Sequence, residues 1–201
     1  MKRRLRVRGR AVIAFISMVV MIFCVGCGNN SDMDKSTKQE TEKKTETLNK
    51  NVQKAGETYK LEQGSFVIPE GWKLHEGDST AEKPFFIPEN SDSDNPSGII
   101  SVQYMTNHYS KDDSQTLAES ILWQLNMQLK GHLSGEVTAS GTSSKEGYTV
   151  LVYNFTADGT ANTQYYILGD HCHVMVYATN VSGTEDVDTA AKSIVDTYKW
   201  K

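Results

Sequence analysis

Three apolar segments lie close together near the C-terminus: Tyr148–Thr156, Thr163–Leu168 and His171–Ala178, separated only by short breaks carrying Asp158-Gly159 and Gly169-Asp170. No other feature constrains the fold as much. The segments are rich in β-branched and aromatic residues, and Asp-Gly pairs tolerate the positive φ that tight hairpin turns demand. Such short links join antiparallel neighbours, whereas a parallel pair needs a crossover of a dozen residues or more. The region reads as an antiparallel β-meander.

The flanking sequence supplies what such a sheet packs against. In Asp113–Gly131, Leu117, Ile121, Leu125 and Leu129 recur every four residues, with Ala118 and Leu122 widening the stripe and Gly131 placed to close the helix. A second amphipathic helix ends the chain, with Val187, Ala190, Ala191, Ile194, Val195 and Tyr198 on one face and Glu185 and Asp186 at its electropositive start. Gly98–Met105 is strand-like, Ile99, Ser101, Gln103 and Met105 alternating with Ile100, Val102 and Tyr104. Ser65-Phe66-Val67-Ile68 runs into Pro69-Glu70-Gly71-Trp72, which has the composition of a type I turn and predicts a β-hairpin. Pro84–Ser97, with three prolines, reads as a long loop, a place where function often sits.

These elements define an α+β fold, an antiparallel sheet flanked by helices, in a single globular domain over residues 58–201. Its roughly 140 residues hold every tryptophan and tyrosine and suffice to bury about two-thirds of the unfolded surface. Residues 27–57 differ in kind. From Gly28 to Glu57 the only large apolar residues are Met33, Leu48 and Val52, and six lysines balance six acids. A segment this polar cannot bury enough to order itself, so it is expected to be a flexible, neutral tether of roughly 30 Å r.m.s. reach.

Residues 1–26 begin with Lys2, Arg3, Arg4, Arg6, Arg8 and Arg10 and continue with an uncharged apolar run, Ala11–Val25. As a helix that run rises roughly 22 Å, short of the roughly 30 Å of a bilayer core, so a signal peptide is expected rather than a permanent span. It ends in Cys24-Val25-Gly26-Cys27, whose C-x-x-C spacing also occurs in redox centres and zinc sites. A redox pair would open a helix inside a thioredoxin-type domain, and a structural zinc needs a second pair of ligands; neither context is present here. The stretch resembles the lipobox of bacterial lipoproteins, in which small residues precede the cysteine that is acylated and becomes the new N-terminus. Cys24 departs from that pattern by standing where an aliphatic residue is usual. The resemblance implies lipidation at Cys27, a membrane partner, and a lipid-anchored place on the extracytoplasmic face of the cell membrane.

Removing residues 1–26 would discard six basic residues and no acids, taking the formal net charge from −4 to −10. All five arginines would leave with it, and arginine is the usual bidentate clamp for phosphate. Nucleic acid is therefore not an expected partner. Only Cys27 and Cys172 would remain, and with Cys27 acylated no internal disulfide could form. Cys172, in an alternating strand, is expected to be a small buried hydrophobe.

The order of elements and the stretch SFVIPEGWKL, Ser65–Leu74, resemble the PsbP-like α/β/α sandwich over Tyr59–Lys201, with F-x-I-P-x-G-W at Phe66–Trp72 as the compact motif. The resemblance implies a twisted antiparallel sheet with helices packed on it. It also implies a protein that assists or binds a larger assembly without catalysis, and it brings no family catalytic residues with it.

The search for chemistry is mostly negative. There is no G-x-S-x-G, H-E-x-x-H, G-x-G-x-x-G or Walker A run, and no cofactor is expected. His171 and His173 are weak metal candidates, since residues i and i+2 of a strand share a face; His75, His108 and His132 would have to converge on them to complete a site. The plainer reading starts the strand at its solvated end, with Cys172, Val174, Val176 and Ala178 facing the core. Asp92–Gly98 superficially resembles a calcium loop but puts Pro96 at a ligand position. Tyr148, Tyr153, Tyr165, Tyr166 and Tyr177 could line a ligand groove or cap a core edge. Three functions stay open: a tethered non-catalytic module for an envelope protein partner, a small-ligand or metal carrier, and an envelope enzyme using carboxylates such as Asp112 or Asp158. The first fits the sequence best.

Overall fold

The computed structural model describes residues 54–183 and 186–201. The expected signal peptide, most of the expected tether, Cys27 and Glu185 lie outside the described residues. Among the described residues, ten strands, two α-helices and a short 3-10 turn (Lys111–Asp113) are arranged as β1 (Thr58–Lys60), β2 (Gly64–Val67), β3 (Trp72–Leu74), β4 (Phe85–Pro88), β5 (Gly98–Thr106), α1 (Ser114–Gln128), β6 (Thr138–Ser143), β7 (Thr149–Ala157), β8 (Thr160–Gly169), β9 (Cys172–Asn180), α2 (Val187–Thr197) and β10 (Lys199–Trp200). The main sheet has seven antiparallel strands in the order β3-β4-β5-β9-β8-β7-β6, and a small antiparallel sheet runs β1-β2-β10.

The meander is β7-β8-β9. Ala157 pairs with Thr160 across a two-residue loop in which Asp158 (φ 49°) and Gly159 (φ 79°) are both left-handed, the geometry that matches strand twist. Gly169 pairs with Cys172 across Asp170-His171, where His171 takes φ 55°. That backbone is held by the segment between β5 and α1, since the His171 carbonyl accepts from Asn107 N at 2.8 Å and its N–H donates to the Tyr109 carbonyl at 3.0 Å.

Both faces of the sheet are covered. On one, Leu117, Ile121 and Leu125 of α1, with Leu129 just after it, pack on Ile99, Met105, Leu151, Tyr153, Phe155, Tyr166 and Met175. On the other, Ala190, Ala191, Ile194 and Val195 of α2, together with Tyr59 and Phe66 of the small sheet, pack on Phe86, Ile100, Val102, Val150, Ile167, Val174 and Val176. Asp186 caps α2 by accepting from Thr189 N at 3.2 Å. Gly64 is needed where β10 crosses β2, because a Cβ there would stand 2.6 Å from Tyr198 Cζ and 2.5 Å from the Lys199 carbonyl.

Two sequence expectations are corrected. Ser65–Ile68 and Trp72 do not form a hairpin: β2 pairs with β1 and β10, and β3 pairs with β4 in the other sheet, so Pro69-Glu70-Gly71 carries the chain from one sheet to the other. The expected loop Pro84–Ser97 contains β4, whose four residues are all buried and so show no polar alternation.

Candidate binding groove between the first helix and the sheet edge

The meander continues outward from β7 to β6, the last strand of the sheet. Its sequence, Thr-Ala-Ser-Gly-Thr-Ser, contains no large side chain, and all six residues are exposed. Because α1 is anchored over the sheet interior by Leu117, Ile121 and Leu125, its Ser114, Gln115, Ala118, Glu119 and Leu122 overhang this edge. Small residues below and a helix above leave a groove of about 580 Å³, floored by β6, Thr149, Leu151 and Tyr153. Tyr153 ties floor to roof, its hydroxyl donating to the Ala118 carbonyl at 2.9 Å. Glu119, which accepts from Gln115 Nε2 at 2.8 Å, is the one ionisable residue apart from Tyr153 in the lining, so the groove offers shape and backbone rather than an acid–base pair.

A second hollow, of about 390 Å³, lies along α2 between Lys145, Tyr165, Asp188, Lys192 and Asp196. Both of its lysines engage Asp196. Lys192 Nζ donates to the nearly buried Asp196 carboxylate at 2.6 Å, and the exposed Lys145 of the β6–β7 turn approaches the same group at 3.8 Å.

The histidines are placed apart. His171 sits exposed in the β8–β9 turn, 3.9 Å from Asp170, where its left-handed backbone breaks the strand alternation that would have set it beside His173. His173 is fully buried, its ring centroid 5.2 Å from that of Tyr166. Asn107 Nδ2 donates to its Nδ1 at 3.0 Å, which puts the ring proton on Nε2. Burial holds the His173 imidazole neutral down to a pKa of about 4. The reading that placed both histidines at a solvated strand end is thus corrected for His173. His75 pairs with Asp78 at 3.2 Å and His132 with Asp158 at 3.1 Å. Among the described residues no three His, Cys, Asp or Glu side chains gather as a metal site would need.

The remaining candidates resolve singly. The tyrosines divide between the faces, Tyr153, Tyr166 and Tyr177 under α1 and Tyr165 and Tyr148 toward α2, so they line no common groove. Burial pushes Tyr165 and Tyr177 up to about 12. Cys172 is half-buried rather than buried, beside Tyr104; desolvation raises its pKa against the lowering effect of a hydrogen bond from Tyr104. Asp92 accepts from Asp94 N at 3.0 Å in a local turn, and Asp112 is exposed in the 3-10 turn. The groove itself was missed from sequence. β6 shows neither apolar alternation nor a motif, and the only hint was a run of small residues between two turns.

The architecture is that of the PsbP-like α+β fold. The solution structure of cyanobacterial PsbP (CyanoP) from Synechocystis sp. PCC 6803 superposes with a TM-score of 0.52 at 11% identity, covering 78% of this chain and 99% of that one. A crystal structure from Bacteroides thetaiotaomicron aligns with a TM-score of 0.37 at 13% identity, over 69% of this chain and 45% of that one. No protein-family profile and no curated protein sequence matches the chain.

Proposed function

We propose that this protein is a non-catalytic binding module for a protein of the cell envelope, held on the extracytoplasmic face of the membrane by a lipid on Cys27 and lifted from it by residues 28–57. The observation that carries this reading is the groove beneath α1, which opens beside an exposed sheet edge and is lined by small, hydroxyl and apolar groups. Such a surface recognises a partner by shape and backbone hydrogen bonding. The PsbP-like architecture is compatible with it, although architecture does not by itself specify function.

Crosslinking in the native membrane, with Cys27→Ser as the untethered control, tests the reading. One dominant partner captured by the acylated protein and lost from the control is the expected result. Absence of any specific partner from a correctly acylated protein overturns it.

A further inference from the structure

The two ends of the main sheet are built differently. β3 has three residues with Lys73 in the middle, and the lysine Nζ is tied to the Glu89 carbonyl at 2.8 Å, with Pro88 opposite Trp72. A short, charged edge of this kind resists pairing. At the other end β6 runs for six residues in unbroken register with β7, from Thr138 opposite Asn154 to Ser143 opposite Thr149, so no bulge twists it away. It contains neither charge nor proline. No described strand pairs with its outer side.

Residues opposite one another in an antiparallel pair project from the same face. Ala139 and Gly141 lie opposite Tyr153 and Leu151, so they face the groove and contribute only a methyl and a hydrogen to its floor. A strand laid along β6 would project alternate side chains over those two positions, within reach of Leu122 and Ala118. The groove has room there for bulky side chains. Glu119 overhangs it and no lysine or histidine lines it, a charge that a basic residue would complement. A second copy of β6 has neither bulk nor cation to offer.

We propose that β6 accepts, as an eighth strand, an extended segment of another protein that carries bulky apolar residues at alternate positions and a basic residue near Glu119. This names the partner chemistry of the binding-module reading above and rests on it.

The test uses the full chain purified from membranes in detergent and a synthetic peptide of about eight residues, roughly strand length, alternating threonine with valine and phenylalanine and bearing one lysine. Saturable binding that protects the amides of residues 138–143 from exchange is expected. Gly141→Val should leave the fold intact, since nothing lies within 4 Å of the added Cβ. Filling the groove should nonetheless weaken binding about tenfold or more. Glu119→Gln should weaken it a few-fold at low salt and much less at high salt. Absence of binding, binding without protection of 138–143, or full binding by Gly141→Val overturns the inference. So does concentration-dependent protection of 138–143 without peptide, which would assign the edge to a second copy. In the native-membrane experiment, a partner still captured by Gly141→Val discards strand addition and keeps the binding module, whereas no capture by the unaltered protein discards the module.

Discussion

The two faces of the main sheet are made from the same strands yet held by different chemistry. Under α2 and the small sheet, the strands present Phe86, Ile100, Val102, Val150, Ile167, Val174 and Val176. Under α1 the registers interleave polar residues: Asn162 with Thr179, Gln164 with Tyr177 and Ser101, and His173 with Met105. Some of these are satisfied, Tyr166 donating to Gln164 Oε1 at 2.6 Å and Tyr177 and Thr179 both donating to Asn162 Oδ1, at 2.9 and 3.1 Å. Ser101 Oγ, Gln103 Oε1, Gln124 Oε1 and Gln164 Nε2 are buried without a hydrogen-bond partner, against Tyr198 Oη and Trp200 Nε1 on the α2 side. An unmade buried hydrogen bond costs about 1–3 kcal/mol, so the α1 layer must add less to stability than its burial suggests. The α2 face carries fewer such groups, and the α1 face, which supplies the roof of the groove, carries more.

The largest effect expected from this difference is on the α2 side. Phe66 is buried among Tyr59, stacked at 5.4 Å, and Phe86, edge-on at 5.6 Å. Phe66→Ala should cost about 3–5 kcal/mol, measured by urea unfolding, while Leu125→Ala in the α1 layer should fall near the low end of the usual 2–5 kcal/mol range for such truncations. Equal losses would break the comparison.

His173 gives the next effect, and it belongs to the α1 face. Burial lowers its folded pKa to about 4 from an ordinary 6.5. Between those values the unfolded chain binds the proton and the folded chain does not, so this contribution is complete above about pH 6.5 and is lost as pH falls toward 4. The loss should approach about 3 kcal/mol, and His173→Gln should flatten the stability profile in that window alone. An unchanged slope in the variant would mean that the imidazole is solvated.

A smaller and opposite effect is expected at Ser101, 1% exposed with an unpaired hydroxyl. Ser101→Ala removes a desolvated group and breaks no bond, so it should be neutral or stabilise the protein by up to about 1 kcal/mol. A loss above that would show that Ser101 Oγ is satisfied and that the α1 face is better paired than its side chains indicate.

Legibility in the sequence follows the same division. The meander, β5 and both helices announce themselves through apolar periodicity; α1 begins one residue inside its expected start at Asp113, and α2 stops at Thr197, before Tyr198 and the strand β10, rather than ending the chain as expected. β4 is buried on both faces and carries no period, β10 is two residues created by pairing with β2, and β6 is polar and uniformly exposed. The groove was illegible for a related reason. It arises from side chains too small to fill the space under a helix, and that space depends on how far α1 reaches past β7, which no local pattern encodes. His173 was misplaced because a lone histidine in an alternating segment reads alike at a solvated end and in a core.

The smallest stability effect should come from the outer surface of α1, where Trp123 and Met127, one turn apart, are 64% and 55% exposed. Trp123→Gln should change stability by less than about 0.5 kcal/mol, because little of the ring leaves water on folding. Its fluorescence separates it from Trp72, 6% exposed, and from the half-buried Trp200, so the variant should lose the most red-shifted part of the native emission while its urea midpoint stays put. The same variant sharpens the assignment of the groove. Trp123 and Met127 are absent from the groove lining. A partner held at β6 should be captured equally by Trp123→Gln and poorly by Gly141→Val. The reverse pattern would move the binding surface from the sheet edge to the outer face of the helix.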